Sequence, residues 1–217
     1  MYADEIKALV VSALLPKLAA GEVIGSEIRF GEGRYRADLV IASPSRLSAF
    51  EIKGPKDNLD KLSEQAKGYA SLFLDFSVVT DSTWLEAVRL QVPQSTGLYI
   101  WRGPQLQTVR RPRPKLRLSP DAALSWLRID DLRELLRLQG RPSSGHYAML
   151  AEEVLAHIPV SILTSFALKS VYDRIHPRHK LFLNEMGRAV TLDDIFMLTL
   201  NDRVIGSCEA LVESGGN

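Results

Sequence analysis

Apolar positions near the start of the chain fall at Ile6, Leu9, Val10, Ala13 and Leu14, a spacing of three and four that predicts a helix from Tyr2 to about Ala20. Pro16 weakens its end and Gly21 follows. Three short runs come next, Val23–Phe30, Ala37–Ala42 and Leu47–Lys53, and they read as strands. Gly31 and Gly33 mark the first turn, and Ser43-Pro44-Ser45-Arg46 the second. Helical spacing returns at Leu59, Leu62, Ala66, Tyr69 and Phe73, which predicts a helix over Asn58–Phe73. Phe76–Thr80 reads as a buried strand, Trp84–Leu90 as a short helix, and Gly97–Arg102 with Leu106–Arg110 as a strand pair around Gly103-Pro104. Beyond Pro112-Arg113-Pro114 the pattern is helical: Asp121–Arg128, Asp130–Gln139, Tyr147–His157, Ile162–Ile175 and about Thr191–Leu200.

A strand meander followed by a helical crossover implies a mixed α/β sheet flanked by helices, followed here by an all-α region. The change of character places one domain at 1–112 and a helical one at 118–217.

Composition narrows the class. The chain has 217 residues, 46% of them hydrophobic and 24% charged, which are ordinary globular values. No apolar run approaches the ~20 residues of a membrane span, and the acidic start Asp4-Glu5 is unlike a secretory signal. Cys208 is the only cysteine, so neither a disulfide framework nor a cysteine-based zinc site is expected. A cytoplasmic location, with no membrane partner, is the expectation. Net charge is only +1, but Arg110, Arg111, Arg113, Lys115 and Arg117 form a tract with no acid among them. Its two prolines favour an extended backbone with splayed side chains, suited to nucleic-acid phosphates or to a solvated linker. Arg34 and Arg36 form a second cationic group.

The candidate chemistry lies in Ala37-Asp38-Leu39-Val40-Ile41 and Ala49-Phe50-Glu51-Ile52-Lys53. With residues 43–46 as the hairpin turn, opposite residues carry numbers that sum to 89, which sets Asp38 across from Glu51. Glu51 and Lys53 project to the same side as Asp38, while Leu39, Ile41, Phe50 and Ile52 form an apolar opposite face. Opposed acids destabilise a sheet, so something must compensate them. Two carboxylates, a backbone carbonyl and waters would suit Mg²⁺, with Lys53 beside the ion to serve an attacking water.

This segment resembles the PD-(D/E)XK nucleases, with Asp38, Glu51 and Lys53 at the motif positions and Ala37 where proline is common. Gln65-Ala66-Lys67-Gly68-Tyr69 is similar to the Q-x-x-x-Y helix of the RecB-like branch. The resemblance covers about residues 1–110. It implies a restriction-endonuclease-like fold and a Mg²⁺- or Mn²⁺-dependent deoxyribonuclease. Asp38, Glu51 and the Ile52 carbonyl would hold the metal, Lys53 would serve the water, and Gln65 and Tyr69 would support the site. A further acid would come from Glu27 or Glu5. DNA would be the partner, contacted by Arg34, Arg36, Arg110, Arg111, Arg113 and Lys115, with a homodimer as one assembly seen in such nucleases. The rival expectation is a non-catalytic DNA- or partner-binding module. Ile129-Asp130-Asp131-Leu132 through Gly140, Gly145 and Leu150 also resembles a SAP motif, which binds DNA, or reads as a plain helical hairpin.

Overall fold

A computed structural model of the protein describes residues 3–103 and 105–199. Cys208, Pro104 and the ends of two predicted helices, at Tyr2 and Leu200, lie outside those residues.

The N-terminal stripe forms α1 (Ala3–Leu14), which tightens into a 3₁₀ turn at Leu15–Lys17 where Pro16 removes a helical donor. A meander follows: β1 (Val23–Phe30), β2 (Tyr35–Ser43) and β3 (Arg46–Lys53), antiparallel throughout. Helix α2 (Leu62–Leu72) crosses over to β4 (Asp75–Thr80), parallel to β3, and α3 (Leu85–Gln91) crosses to β5 (Gly97–Arg102), parallel to β4. β6 (Gln105–Arg110) returns antiparallel, which completes a six-stranded mixed sheet in the order of the chain. The rest is helical: α4 (Pro120–Leu124), α5 (Ile129–Leu138), α6 (Tyr147–His157), α7 (Val160–Glu185) and α8 (Leu192–Met197). The expected mixed α/β sheet, flanked by helices and followed by a helical region, is the observed fold.

Helices cover both faces of the sheet, as parallel crossovers require. On one face α1 sets Ile6, Val10, Val11 and Leu14 against Ile24, Leu39, Ile41, Phe50, Ile52 and Val79. On the other, Val40, Ala42, Leu47, Ala49 and Val78 meet Leu62, Ala66 and Tyr69 of α2 and Phe73 just past its end, and the same core continues through Trp126, Leu132 and Ile175 of the helical region. The second face is therefore apolar as well, and the polar cluster occupies only one end of it. Trp126 belongs to this core: its ring packs on Phe30 and Phe73, and its Nε1–H donates to the Leu72 carbonyl at 2.7 Å.

Two close approaches depend on glycine. Gly25 admits Ile175 of α7, whose Cγ2 would lie 3.0 Å from an added Cβ. Gly97 is tighter, with Ser77 Oγ at 2.3 Å and Pro112 Cδ at 2.9 Å from such an atom. Gly97→Ala is expected to cost about 1–3 kcal/mol through overpacking. Chemical denaturation checks this, and Ser77→Ala added to it should recover part of the loss.

Helix α7 continues ten residues past the predicted end at Ile175, through Pro177. A proline inside a helix costs about 3 kcal/mol. The fully buried Phe182 and the buried His179 lie beyond it and offset that cost. His179 Nδ1 accepts the Ile24 N–H at 3.4 Å, and the Leu198 carbonyl accepts the Ser26 N–H at 3.0 Å. The outer edge of β1 is thereby covered, which blocks edge-to-edge pairing. Among the described residues no helix is long and apolar enough to cross a membrane.

Candidate functional site

The β2–β3 ladder has the predicted register, from Ser43–Arg46 to Leu39–Phe50, and stops there. The β1–β2 hairpin continues to Phe30–Tyr35, so it parts from β3 just where Asp38 and Glu51 face each other. Glu27 lies opposite Asp38 and has φ +59°, a left-handed conformation unusual for a glutamate inside a strand. Across it the alternation of β1 reverses, so that Val23 before it and Ile28 and Phe30 after it share one core. Strain of this kind, of order 1–3 kcal/mol, collects at functional sites.

The charged groups meet in this notch. Asp38 Oδ2 accepts the Ile52 N–H at 2.7 Å. Glu51, only 4% exposed, pairs through Oε1 with Lys53 Nζ at 2.7 Å, and its Oε2 accepts the Tyr69 hydroxyl at 2.6 Å. Lys53 Nζ also donates to Gln65 Oε1 at 3.2 Å. Glu27 pairs with Lys7 of α1 and with Arg36 Nε, the latter at 2.5 Å. Burial, and then the neighbouring Glu51 charge, push the Asp38 carboxyl up to about 7, although the Ile52 N–H and Lys7 oppose the shift. Burial and the Glu51 charge hold the Tyr69 hydroxyl well above its ordinary range, so it acts as a donor. The cluster can thus hold a proton at Asp38 near neutral pH.

The structure brings together Asp38, Glu51, Lys53, Gln65, Tyr69 and Glu27. Ile52 contributes its N–H. Glu5 sits exposed on α1, so Glu27 is the acid that joins the cluster. Sequence reasoning missed Lys7, which is 4% exposed. Its one signal was a cation set directly beside Ile6 in the apolar stripe of α1. The three carboxylates face three cations, Lys7, Arg36 and Lys53, so the protein itself compensates the opposed acids. Among the described residues no three acidic, histidine or cysteine side chains group as metal ligands. Both Glu51 oxygens are committed to Lys53 and Tyr69, and as arranged the donors do not fit the Mg²⁺ site expected above.

The cationic groups separate into different roles. Arg34 lies at the hairpin turn, where its Nε donates to the Gly31 carbonyl at 3.2 Å, and Arg36, itself exposed, pairs with Glu27 of the acid cluster. Arg110 donates to the Thr96 and Pro93 carbonyls at 2.7 and 3.1 Å. Lys115 donates to those of Ala70 and Ser71 at 2.7 and 3.2 Å. Between and beyond these anchors Arg111, Arg113 and Arg117 are exposed. Burial, followed by the charges of Arg89 and Arg113, lowers Arg110 from the usual guanidinium value, a sign of crowded positive charge. The paired helices α5 and α6 form the expected hairpin over Leu132, Leu135, Leu136 and Leu150.

Fold and site define an α/β protein with a self-compensated acid–lysine cluster and a cationic strap between its sheet and its helices. The chain belongs to the bacteriophage P4 protein cII family, whose model matches residues 1–199. It is 26% identical over 204 residues to "Protein cII" of Enterobacteria phage P4, covering 90% of this chain and 77% of that one. A solved structure, described as the SPO1766 protein of unknown function from Silicibacter pomeroyi, aligns with a TM-score of 0.42 at 18% identity over 56% of this chain and 79% of that one.

The family match overturns the identification with PD-(D/E)XK nucleases, and with it the metal-dependent deoxyribonuclease activity that the resemblance implied. The misreading has a physical source. Three charged residues at the end of a strand pair reproduce that motif, while the further acid Glu27 and its cations Lys7 and Arg36 come from β1, α1 and β2, which a local motif does not include.

Proposed function

We propose that this protein binds nucleic acid, DNA in the first instance, through the strap at residues 110–117. One observation carries the reading. Arg111, Arg113 and Arg117 point to solvent from a backbone already fixed in place, without an acidic partner among the described residues. The Arg113 N–H donates to the Ser95 carbonyl at 2.9 Å and the Lys115 N–H to the Leu74 carbonyl at 2.8 Å. Along an extended chain Arg111 and Arg113, two residues apart, are separated by about 6 Å of backbone, with Arg117 further on. Such a row suits the phosphate backbone, which supplies most non-specific affinity. Fixing the strap beforehand lowers the ordering cost on binding. The cytoplasm, where nucleic acid is available, is the compartment this reading implies.

The test is fluorescence anisotropy of labelled single-stranded and duplex DNA. Replacing Arg111, Arg113 and Arg117 together by alanine is expected to weaken binding about tenfold or more at low salt. The melting temperature should barely change, because the anchoring contacts of Arg110 and Lys115 remain. Equal binding by the variant and the parent would reject the strap as the contact surface.

A further inference from the structure

Leu116 is fully exposed, the most exposed large apolar side chain among the described residues. A lone surface leucine is ordinary, but this one sits where the strap is held on both sides. Before it, the Lys115 N–H donates to the Leu74 carbonyl at 2.8 Å, and the Lys115 ammonium donates to the carbonyls of Ala70 and Ser71. After it, Leu118 is buried in the main core, and Ser119 caps α4 by accepting the Ala122 N–H. Between these anchors the chain bends at Leu116 and Arg117, and both residues are exposed. Fixed backbone thus presents the leucine, with Arg113 and Pro114 exposed ahead of it and Arg117 behind it. No acidic and no aromatic residue lies in 110–117.

These features discriminate between forms of nucleic acid. Single strands are held by stacking bases on aromatic rings, and the strap has none. Proteins that enter the minor groove of a duplex instead push an apolar wedge such as leucine between base pairs, and arginine suits the negative potential there. That groove, about 6 Å wide, excludes a helix but admits the tip of a bend in an extended chain.

We propose that the strap binds duplex DNA from its minor groove, with Leu116 entering between two base pairs and kinking the duplex while Arg113 and Arg117 hold phosphates on either side. The inference rests on the reading of the strap as the DNA-contacting surface. Unstacking costs least at pyrimidine–purine steps and at mismatches, so binding is tightest there.

The full chain is titrated into a duplex of about 20 base pairs with a dye at each end and a fluorescent adenine analogue in a central TA step. Anisotropy reads binding, energy transfer between the dyes reads bending, and the analogue reads unstacking. The parent is expected to raise energy transfer and analogue emission as it saturates the duplex, and a central mismatch to tighten binding about fivefold. Leu116→Ala should lose both signals yet weaken binding no more than about threefold, since the arginines remain. Leu116→Phe, a larger wedge, should keep both signals. Because the side chain is fully exposed, both variants should melt with the parent. No binding by the parent would remove the DNA reading and the wedge together. Binding without the two signals, or with both unchanged in Leu116→Ala, would overturn the wedge and leave the arginine row as the contact surface.

Discussion

Lys53→Met is expected to destabilise the protein by about 3–5 kcal/mol, the usual consequence of leaving one member of a buried ion pair uncompensated. The reason lies in Glu51. Its side chain is 5% exposed, and Lys53 at 2.7 Å is the cation paired with it. The Tyr69 hydroxyl remains as a partner but supplies no counter-charge. The carboxylate is then left buried without a cation beside it. Adding Glu51→Gln to Lys53→Met should restore much of the stability, because an amide can still accept from Tyr69 without needing a cation. Urea denaturation of the four members of this cycle measures the coupling directly. Additive losses would show that the pair is not the keystone of the cluster.

The second large effect concerns pH. The Asp38 carboxyl titrates at about 7 in the folded protein, against an ordinary value of 3.8. The folded state thus holds a proton that the unfolded chain releases between those values. The stabilisation from this group is complete below the ordinary value and is lost as pH rises through about 7. One pKa unit corresponds to about 1.4 kcal/mol, so the group makes the protein a few kcal/mol less stable at pH 8 than at pH 4. Asp38→Asn keeps an oxygen acceptor for the Ile52 N–H and removes the titration. The variant should match the parent near pH 4 and exceed it at pH 8, by several degrees in melting temperature for a chain of this size. Parallel stability–pH curves for the two proteins would refute the assignment.

Much of this site was legible before the structure. Alternating apolar residues and a turn at Ser43–Arg46 determined the hairpin register, and the observed Leu39–Phe50 pairing obeys it. β1, β5 and α6 have the predicted bounds, because Gly21, Gly97 and the SSG turn before Tyr147 punctuate them clearly. What stayed hidden was set by contacts between distant segments. The Lys7–Glu27 pair joins a helix to a strand twenty positions away, and no local spacing announces it. α7 outruns Pro177 because Phe182 and His179 gain burial against α1 and β1, a tertiary gain that outweighs local propensity. The role of the strap was half visible. Its charge was plain in the sequence, but its division into anchors and outward arginines required the carbonyls of Thr96 and Ala70.

The balance of charge explains why the acid cluster invites a metal reading. Opposed carboxylates need compensation, and a sequence motif shows only Lys53. The fold adds Lys7 and Arg36 around Glu27 and a hydrogen-bonded tyrosine beside Glu51. The cluster thereby ties α1, the β1–β2 hairpin, β3 and α2 together at the point where the hairpin leaves the sheet.

The salt dependence of DNA binding tests the central claim most directly. Each phosphate neutralised contributes about −0.9 to the slope of log K against log salt on duplex DNA. The strap predicts that the triple alanine variant at Arg111, Arg113 and Arg117 has a slope shallower by about three than the parent. The same slope for both proteins, or no salt-sensitive binding by the parent, would contradict it.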